Sequence, residues 1–367
     1  MHKKVVIIFW GNPLYDGRCL NMINQIVAQG VNLQILGVGD QKLCVDGKGY
    51  QIKMLNKKSL KNPITKYSKY FREVKKFINM NKPNFIIASD LYSMIPAAQT
   101  KLKNQRLIYD SRELYTKLGG LKNKPLIQKI WSFYEKKYIY DVDCTIVNAE
   151  PDRKFLLNLY GQIKTVLMKN MPGKHFLDNN DAINLKKELC IDYNQNILLY
   201  QGKFHNGRGV RFVIKMLPKI KSATLLLIGD GPMKNSYIET AKYYNVTERV
   251  VFLDAVPYND LPKYTKSAFI GLSIIKPITE SYENALPNKL FEYAVSGLPI
   301  ICSKLKLMSS AVNDLGSGIA INHLKENEFI NAYDKILNNR NEYILSPDQK
   351  SALLWNNNNN INEALYE

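Results

Sequence analysis

The segment Ile197-Leu198-Leu199-Tyr200-Gln201-Gly202-Lys203-Phe204-His205-Asn206-Gly207-Arg208-Gly209 begins as a short apolar run and breaks into a loop with three glycines before a helix opening near Val210. A continuous apolar run of this length suits a parallel strand covered by helices on both faces. Gly202, Gly207 and Gly209 permit a tight backbone turn directly after it. Lys203 and Arg208 put two cations in that turn, where they could converge on a diphosphate; on spacing alone, a surface loop with two solvated charges fits equally well. The G-x-x-x-x-G-K spacing of a Walker loop is absent.

The same punctuation recurs outward in both directions. Candidate strands lie at Val5 to Phe9, Leu33 to Leu36, Phe85 to Ala88, Leu107 to Tyr109, Thr145 to Val147 and Val166 to Met168. A second series follows at Ile197 to Tyr200, Leu225 to Ile228, Val250 to Leu253, Phe269 to Ser273, Ile300 to Cys302 and Gly318 to Ile321. Helix-length amphipathic segments separate them, which predicts two doubly wound α/β sheets in two Rossmann-like domains. Length agrees, since 367 residues exceed the roughly 150 to 200 that one core usually organises. Lys169-Asn170-Met171-Pro172-Gly173-Lys174 is rich in turn residues and marks the link. The expected domains are therefore 1–169 and 170–349, followed by a tail whose run Asn356 to Asn360 favours a break between helical pieces.

Ligands of open parallel sheets bind beyond the C-terminal ends of the strands. Besides the glycine loop, two further loops stand out there. Gly229-Asp230-Gly231-Pro232 is a strand-to-helix turn that more often serves folding than chemistry. Asn284-Ala285-Leu286-Pro287-Asn288-Lys289-Leu290-Phe291-Glu292-Tyr293 places Pro287 in a helical first turn, where free amides can receive phosphate. In the first domain, the loop opening at Gly11 follows the first strand, and its glycines would let a ligand approach the backbone closely.

Taken together, these segments resemble the retaining GT-B glycosyltransferases, specifically the large family 4 group (glycosyl transferases group 1). The most specific stretch is Ala285 to Tyr293, similar to that family's donor-binding helix; Gly229 to Pro232, Leu261-Pro262-Lys263-Tyr264 and Trp355 support it. The resemblance implies two Rossmann-like domains facing a central cleft, with the first on the acceptor side, the second holding a nucleotide-diphosphate sugar, and residues 350–367 crossing back to the first. It assigns Glu292 to the ribose hydroxyls, Lys203 and Arg208 to the departing diphosphate, and the backbone near Gly202, Leu286 and Pro287 to phosphate. Transfer would retain anomeric configuration without a protein nucleophile, and no metal cofactor is expected. Two positions depart from the family's pattern. Asn284 stands where the first Glu of E-x7-E belongs, and Arg112, in Asp110-Ser111-Arg112-Glu113, replaces a histidine expected near the sugar.

Other classes fit less well. Asp141-Val142-Asp143 matches the letters of a metal-binding D-x-D but precedes a strand instead of following one, and four histidines are scattered, so no metal centre is legible. Five cysteines without a C-x-x-C pair suggest neither disulfides nor zinc, and fit a cytoplasmic protein. A nucleotide-sugar 2-epimerase of the same architecture, or a catalytically weak partner of another transferase, remain alternatives.

Met1 to Lys169 carry 29 Lys+Arg against 12 Asp+Glu, a net of +17 out of the chain's +19. With no recognised nucleic-acid motif, this excess points to phosphates or an anionic membrane surface, met peripherally from the cytoplasmic side, where a lipid-linked or cell-surface glycan precursor would serve as acceptor. The alternation of lysines and aromatics at Lys66-Tyr67-Ser68-Lys69-Tyr70-Phe71-Arg72 and Lys75-Lys76-Phe77 marks the expected face, with Lys117 and Lys122 among the further cations.

Overall fold

The computed structural model describes residues 3–40, 44–47, 49–115, 124–178, 183–322 and 324–367; His2, Lys117, Lys122 and His323 lie outside them. The chain divides into two units, Met1–Asn170 with Asn358–Glu367, and Met171–Asn357.

In the first unit the strands are β1 (Lys4–Ile8), β2 (Asn32–Gly39), β3 (Cys44–Gly47), β4 (Tyr50–Asn56), β5 (Phe85–Ala88), β6 (Arg106–Ser111), β7 (Cys144–Val147) and β8 (Thr165–Leu167). They form one sheet in the order β3-β4-β2-β1-β5-β6-β7-β8. Neighbours run parallel, with Val5 opposite Leu33 on one side and Phe85 on the other; β3 alone is antiparallel, against β4. The chain reverses its direction of winding between β1 and β5, the place where doubly wound sheets open a ligand crevice.

The hairpin β3–β4 escapes a search for continuous apolar runs. Ile52 and Met54 are buried while Gln51 and Lys53, each preceding one of them, are not, the alternation of a strand with only one face covered. Gly49 turns the hairpin with φ of +84°.

In the second unit β9 (Asn196–Gln201), β10 (Ala223–Ile228), β11 (Val250–Leu253), β12 (Ile270–Ser273), β13 (Ile300–Ser303) and β14 (Gly318–Ile321) form an entirely parallel sheet, ordered β11-β10-β9-β12-β13-β14. All residues of β10 are buried, as expected of a strand covered on both faces. Here the winding reverses between β9 and β12, with Leu198 facing Leu225 and Ile270. The α/β class with two Rossmann-like sheets is therefore as the sequence predicts.

The tail divides at a different point from the one the sequence suggests. Trp355 is buried and its amide donates to Pro172 O at 2.8 Å, so residues up to Asn357 stay with the second unit. The helix Ile361–Tyr366 belongs to the first, capped by the Asn360 side chain; Asn359 Nδ2 donates to Lys169 O and its carbonyl accepts from Gln25. The asparagine run thus serves as the break between helices, as its capping tendency implies.

Candidate active site

In the second unit the loop after β9 is set by backbone contacts with the loop after β10. Gly202 N donates to Ile228 O, Phe204 N to Asp230 O, and Met233 N to Phe204 O. A Cβ on Gly229 would lie 2.1 Å from Gly202 O, and one on Gly231 would lie 2.8 Å from Phe204 N. These contacts require glycine, so Gly229-Asp230-Gly231 reads here as the brace of the neighbouring loop. The Asp230 side chain is exposed, and its backbone carbonyl accepts from Phe204 N at 2.9 Å.

So braced, the loop displays its cations differently. Lys203 is exposed, its backbone carbonyl held by the Tyr200 hydroxyl at 2.8 Å. Arg208 is half-buried and stacks over Tyr282, 4.8 Å from the ring centre, while the Tyr282 hydroxyl reaches Asn206 O. Gly209 then adopts φ of +68° and caps the helix Val210–Met216, lying against Ile274 beyond β12.

The helix Lys289–Val295 presents Glu292 to the end of β9. Glu292 is buried, and Gln201 Nε2 donates to its Oε2 at 2.6 Å, with the Tyr258 hydroxyl as a further donor. Burial pushes the Glu292 carboxyl up, against the opposing pull of Gln201, Tyr258 and Lys289. Lys289 sits 3.7 Å from the Tyr200 ring centre and beside Gly202, where a Cβ would be 3.4 Å from Nζ. Some of its side-chain surface is open, yet its ammonium is enclosed; burial, with Arg208 adding to it, holds its pKa well below the ordinary lysine value while Glu292 opposes. An anion bound here would relieve both cations.

Ala285, Leu286 and Pro287 form the half-buried approach to this helix, Ala285 and Leu286 packing on the second unit's core. Pro287 has no N–H, so at this turn the backbone amides are those of Leu286 and Asn288. Asn284 is exposed and precedes the approach. Four partners that sequence reading did not select complete the site: Tyr200, Gln201, Tyr258 and Thr265, whose hydroxyl donates to Gln201 Oε1 at 2.9 Å. Their shared signal is position, at the ends of β9 and near the family-like segment Leu261 to Tyr264.

Gly11 and Arg112 belong to the first unit. Gly11 follows β1 and accepts at its carbonyl from Val38 N; a Cβ there would meet the Phe9 ring at 2.6 Å. Arg112 is tied into two interlocked D-x-R triplets. Asp110 accepts from Arg18 Nε and NH2 at 2.9 and 2.7 Å and from Arg112 Nε at 3.0 Å, and Asp16 takes the other two Arg112 nitrogens at 2.8 and 2.7 Å. Asp16 also caps the helix Gly17–Val27. Burial raises the Asp110 carboxyl, but Arg18 and Arg112 outweigh it and leave the pKa below the ordinary value. Arg112 is thus a cross-brace between the loops after β1 and β6, a role a neutral histidine would not fill.

Among the described residues no group of three or more His, Cys, Asp or Glu gathers as metal ligands. Asp143, of the D-x-D letters, is bound to Lys101 Nζ at 2.6 Å and to Leu107 N.

Residues 195–339, within the second unit, match the family model described as Glycosyl transferases group 1. The chain is 24% identical over 178 residues to an uncharacterized glycosyltransferase of Methanocaldococcus jannaschii, covering 47% of this chain and 44% of that protein. It is 23% identical over 238 residues to the chitobiosyldiphosphodolichol beta-mannosyltransferase of Candida albicans, covering 60% and 51%. The chain therefore spans about half the length of the curated relatives it matches. Among solved structures, the sucrose-phosphate synthase of Thermosynechococcus elongatus superposes with a TM-score of 0.75 at 17% identity, covering 97% of this chain and 96% of that one. The Anabaena protein HepE in complex with UDP-glucose superposes at 0.74 and 13%, covering 99% of both. These likenesses over the whole chain establish the GT-B fold.

Proposed function

We propose that this protein is a glycosyltransferase that moves a sugar from a nucleoside diphosphate to an acceptor hydroxyl with retention at the anomeric carbon. The observation that carries it is Glu292, a buried carboxylate fixed by Gln201 and Tyr258 beside the enclosed Lys289 and the Gly202 backbone. A nucleoside diphosphate offers matching groups, ribose hydroxyls for the carboxylate and phosphates for Lys203, Arg208 and Lys289. HepE, with the same fold, was solved with UDP-glucose.

In this reading the bond from the anomeric carbon to phosphate breaks, its electron pair passing to the phosphate oxygen, where Lys203 and Arg208 neutralise the growing charge. The acceptor oxygen bonds to the same face of that carbon and gives its proton to the departing phosphate. No side chain forms a covalent intermediate, and no metal is needed. The acceptor, a lipid-linked or cell-surface glycan precursor, is assigned to the first unit, whose loops after β1 and β5 meet where the winding reverses.

A panel of nucleotide sugars incubated without acceptor tests donor use, and magnetic resonance of the glycoside formed once an acceptor glycan is added tests the stereochemistry. Slow release of the nucleoside diphosphate from one donor, and a product of unchanged anomeric configuration, are expected. An epimerised donor without any transfer would assign the site to the epimerase reaction instead.

A further inference from the structure

We propose that the helix Pro125–Tyr138 docks the first unit onto an anionic lipid bilayer. Leu126, Ile127, Ile130 and Phe133 on this helix are 71%, 39%, 44% and 62% exposed. Leu126, Ile130 and Phe133 follow the four- and three-residue steps that align side chains along one face of a helix.

The opposite face explains why the helix is anchored and leaves the outer stripe without a role in folding. Trp131 is buried against Tyr67 and Tyr92, ring centres 4.8 Å apart in each case. Glu135 is buried and accepts from the Tyr109 and Tyr160 hydroxyls at 2.8 Å. Apolar surface of this kind on a charged protein marks an interaction site.

Charge selects the occupant. Lys124, Lys129, Lys136 and Lys137 flank the stripe, all exposed, on the unit that carries most of the chain's excess positive charge. Apolar residues between lysines on a helix lying in the headgroup region are the pattern of an interfacial helix, and anionic lipid supplies the matching charge. The alternation at residues 66–77 contributes otherwise than its sequence suggests. Tyr70 and Phe77 are buried and Tyr67 packs on Trp131, so of that segment it is Lys69, Arg72 and Lys76 that face outward. No helix among the described residues is long and apolar enough to cross a membrane, so contact through this one would be peripheral.

Co-sedimentation of the full chain with phosphatidylcholine vesicles, with and without phosphatidylglycerol, decides the matter. Binding should require the anionic lipid and fall as salt rises. The double substitution Ile130→Ser with Phe133→Ser should weaken it by about tenfold or more, while the melting curve and hydrolysis of a soluble nucleotide sugar stay as in wild type. Undiminished vesicle binding by the double variant would overturn the proposal, as would equal binding to neutral vesicles or none to either. So would a dimer in solution that the same substitutions split, since a second copy would then cover the stripe. Loss of vesicle binding with hydrolysis intact, or the converse, separates this proposal from the transferase reading.

Discussion

Gln201 Nε2 donates to Glu292 Oε2 at 2.6 Å, tying the last residue of β9 to the helix Lys289–Val295. The amide is oriented by its other end, because Gln201 Oε1 accepts from Thr265 Oγ1 at 2.9 Å and the nitrogen must then face the carboxylate. A carboxylate has about four acceptor directions, so after Gln201 and Tyr258 about two remain for a ligand's hydroxyls. Glu292 is thus set in place before anything binds, and the cost of ordering it is met during folding.

Glu292→Gln should weaken nucleoside diphosphate binding strongly, since hydrogen bonds to a charged group contribute roughly 1.5 to 3 kcal/mol each. Gln201→Leu removes only the group that orients it, and should raise KM for the donor while kcat falls less. Calorimetric titration with nucleoside diphosphates measures the first and steady-state kinetics the second. Unaltered affinity in Glu292→Gln, with a normal circular dichroism spectrum, would remove Glu292 from the ribose.

Gly229→Ala should destabilise the second unit by about 2 kcal/mol or more, through overpacking and a backbone conformation that L side chains rarely adopt. Its φ is +141° and the added Cβ would meet Gly202 O at 2.1 Å. Because that oxygen belongs to the loop bearing Lys203, donor hydrolysis should fall as well. Urea unfolding followed by tryptophan fluorescence measures the first effect; a wild-type midpoint would show that the loops can part without penalty.

Strands such as β9, β10 and β13 were legible because each carries an unbroken apolar run through its buried middle, Ile197 to Leu199, Leu225 to Ile228 and Ile300 to Cys302. The hairpin β3–β4 was not, since its half-polar alternation is a weaker signal than a run. In the second unit Glu292 could be picked out through the family-like segment around it, whereas Gln201 is one polar residue at a strand end, without a signature of its own. The interlock of Asp16, Arg18, Asp110 and Arg112 joins residues 92 and 96 positions apart, and no local pattern announces such a pairing. Arg112 therefore looked like a replacement for a histidine, and only the fold shows the carboxylates it holds.

Asp90 gives the first unit a pH dependence. Its carboxylate accepts from Trp10 N at 2.6 Å and Ser93 N at 2.7 Å, yet burial dominates and raises its pKa from 3.8 to about 6. A raised folded value means that the proton is held more tightly in the folded state. The contribution is therefore present in full below about pH 4 and is lost as pH rises through about 6, by roughly 3 kcal/mol in all. Asp90→Asn should flatten the stability profile across this window, while its single carbonyl oxygen leaves one of the two amides unpaired and lowers stability by about 1 to 3 kcal/mol. Urea titrations at successive pH values check both; an unchanged slope would move the titration to another group.

Lys203→Ala and Arg208→Ala should each lower kcat more than they raise KM, because charge on the diphosphate grows as the glycosidic bond breaks. Chelator should change little. Complete loss of turnover in EDTA, restored by Mn²⁺, would instead give the neutralising role to a metal ion.

Arg112→His tests whether the departure from the family pattern is structural or chemical. The guanidinium is 12% exposed and occupies both oxygens of Asp16 and one of Asp110. Histidine is too short to span both carboxylates, which leaves part-exposed Asp16 without its partner and buried Asp110 with Arg18 alone. Because one pair is part-exposed and the other carboxylate keeps a partner, the loss should be below the roughly 3 to 5 kcal/mol of a fully buried pair. Arg112→Lys keeps the charge but not the planar fork, so its loss should be intermediate. The prediction is a lower melting temperature in the order wild type, Lys, His, with nucleoside diphosphate affinity preserved because Glu292 and Lys289 belong to the other unit. A histidine variant that melts like wild type but no longer transfers sugar would place Arg112 among the reacting groups and set the bracing role aside.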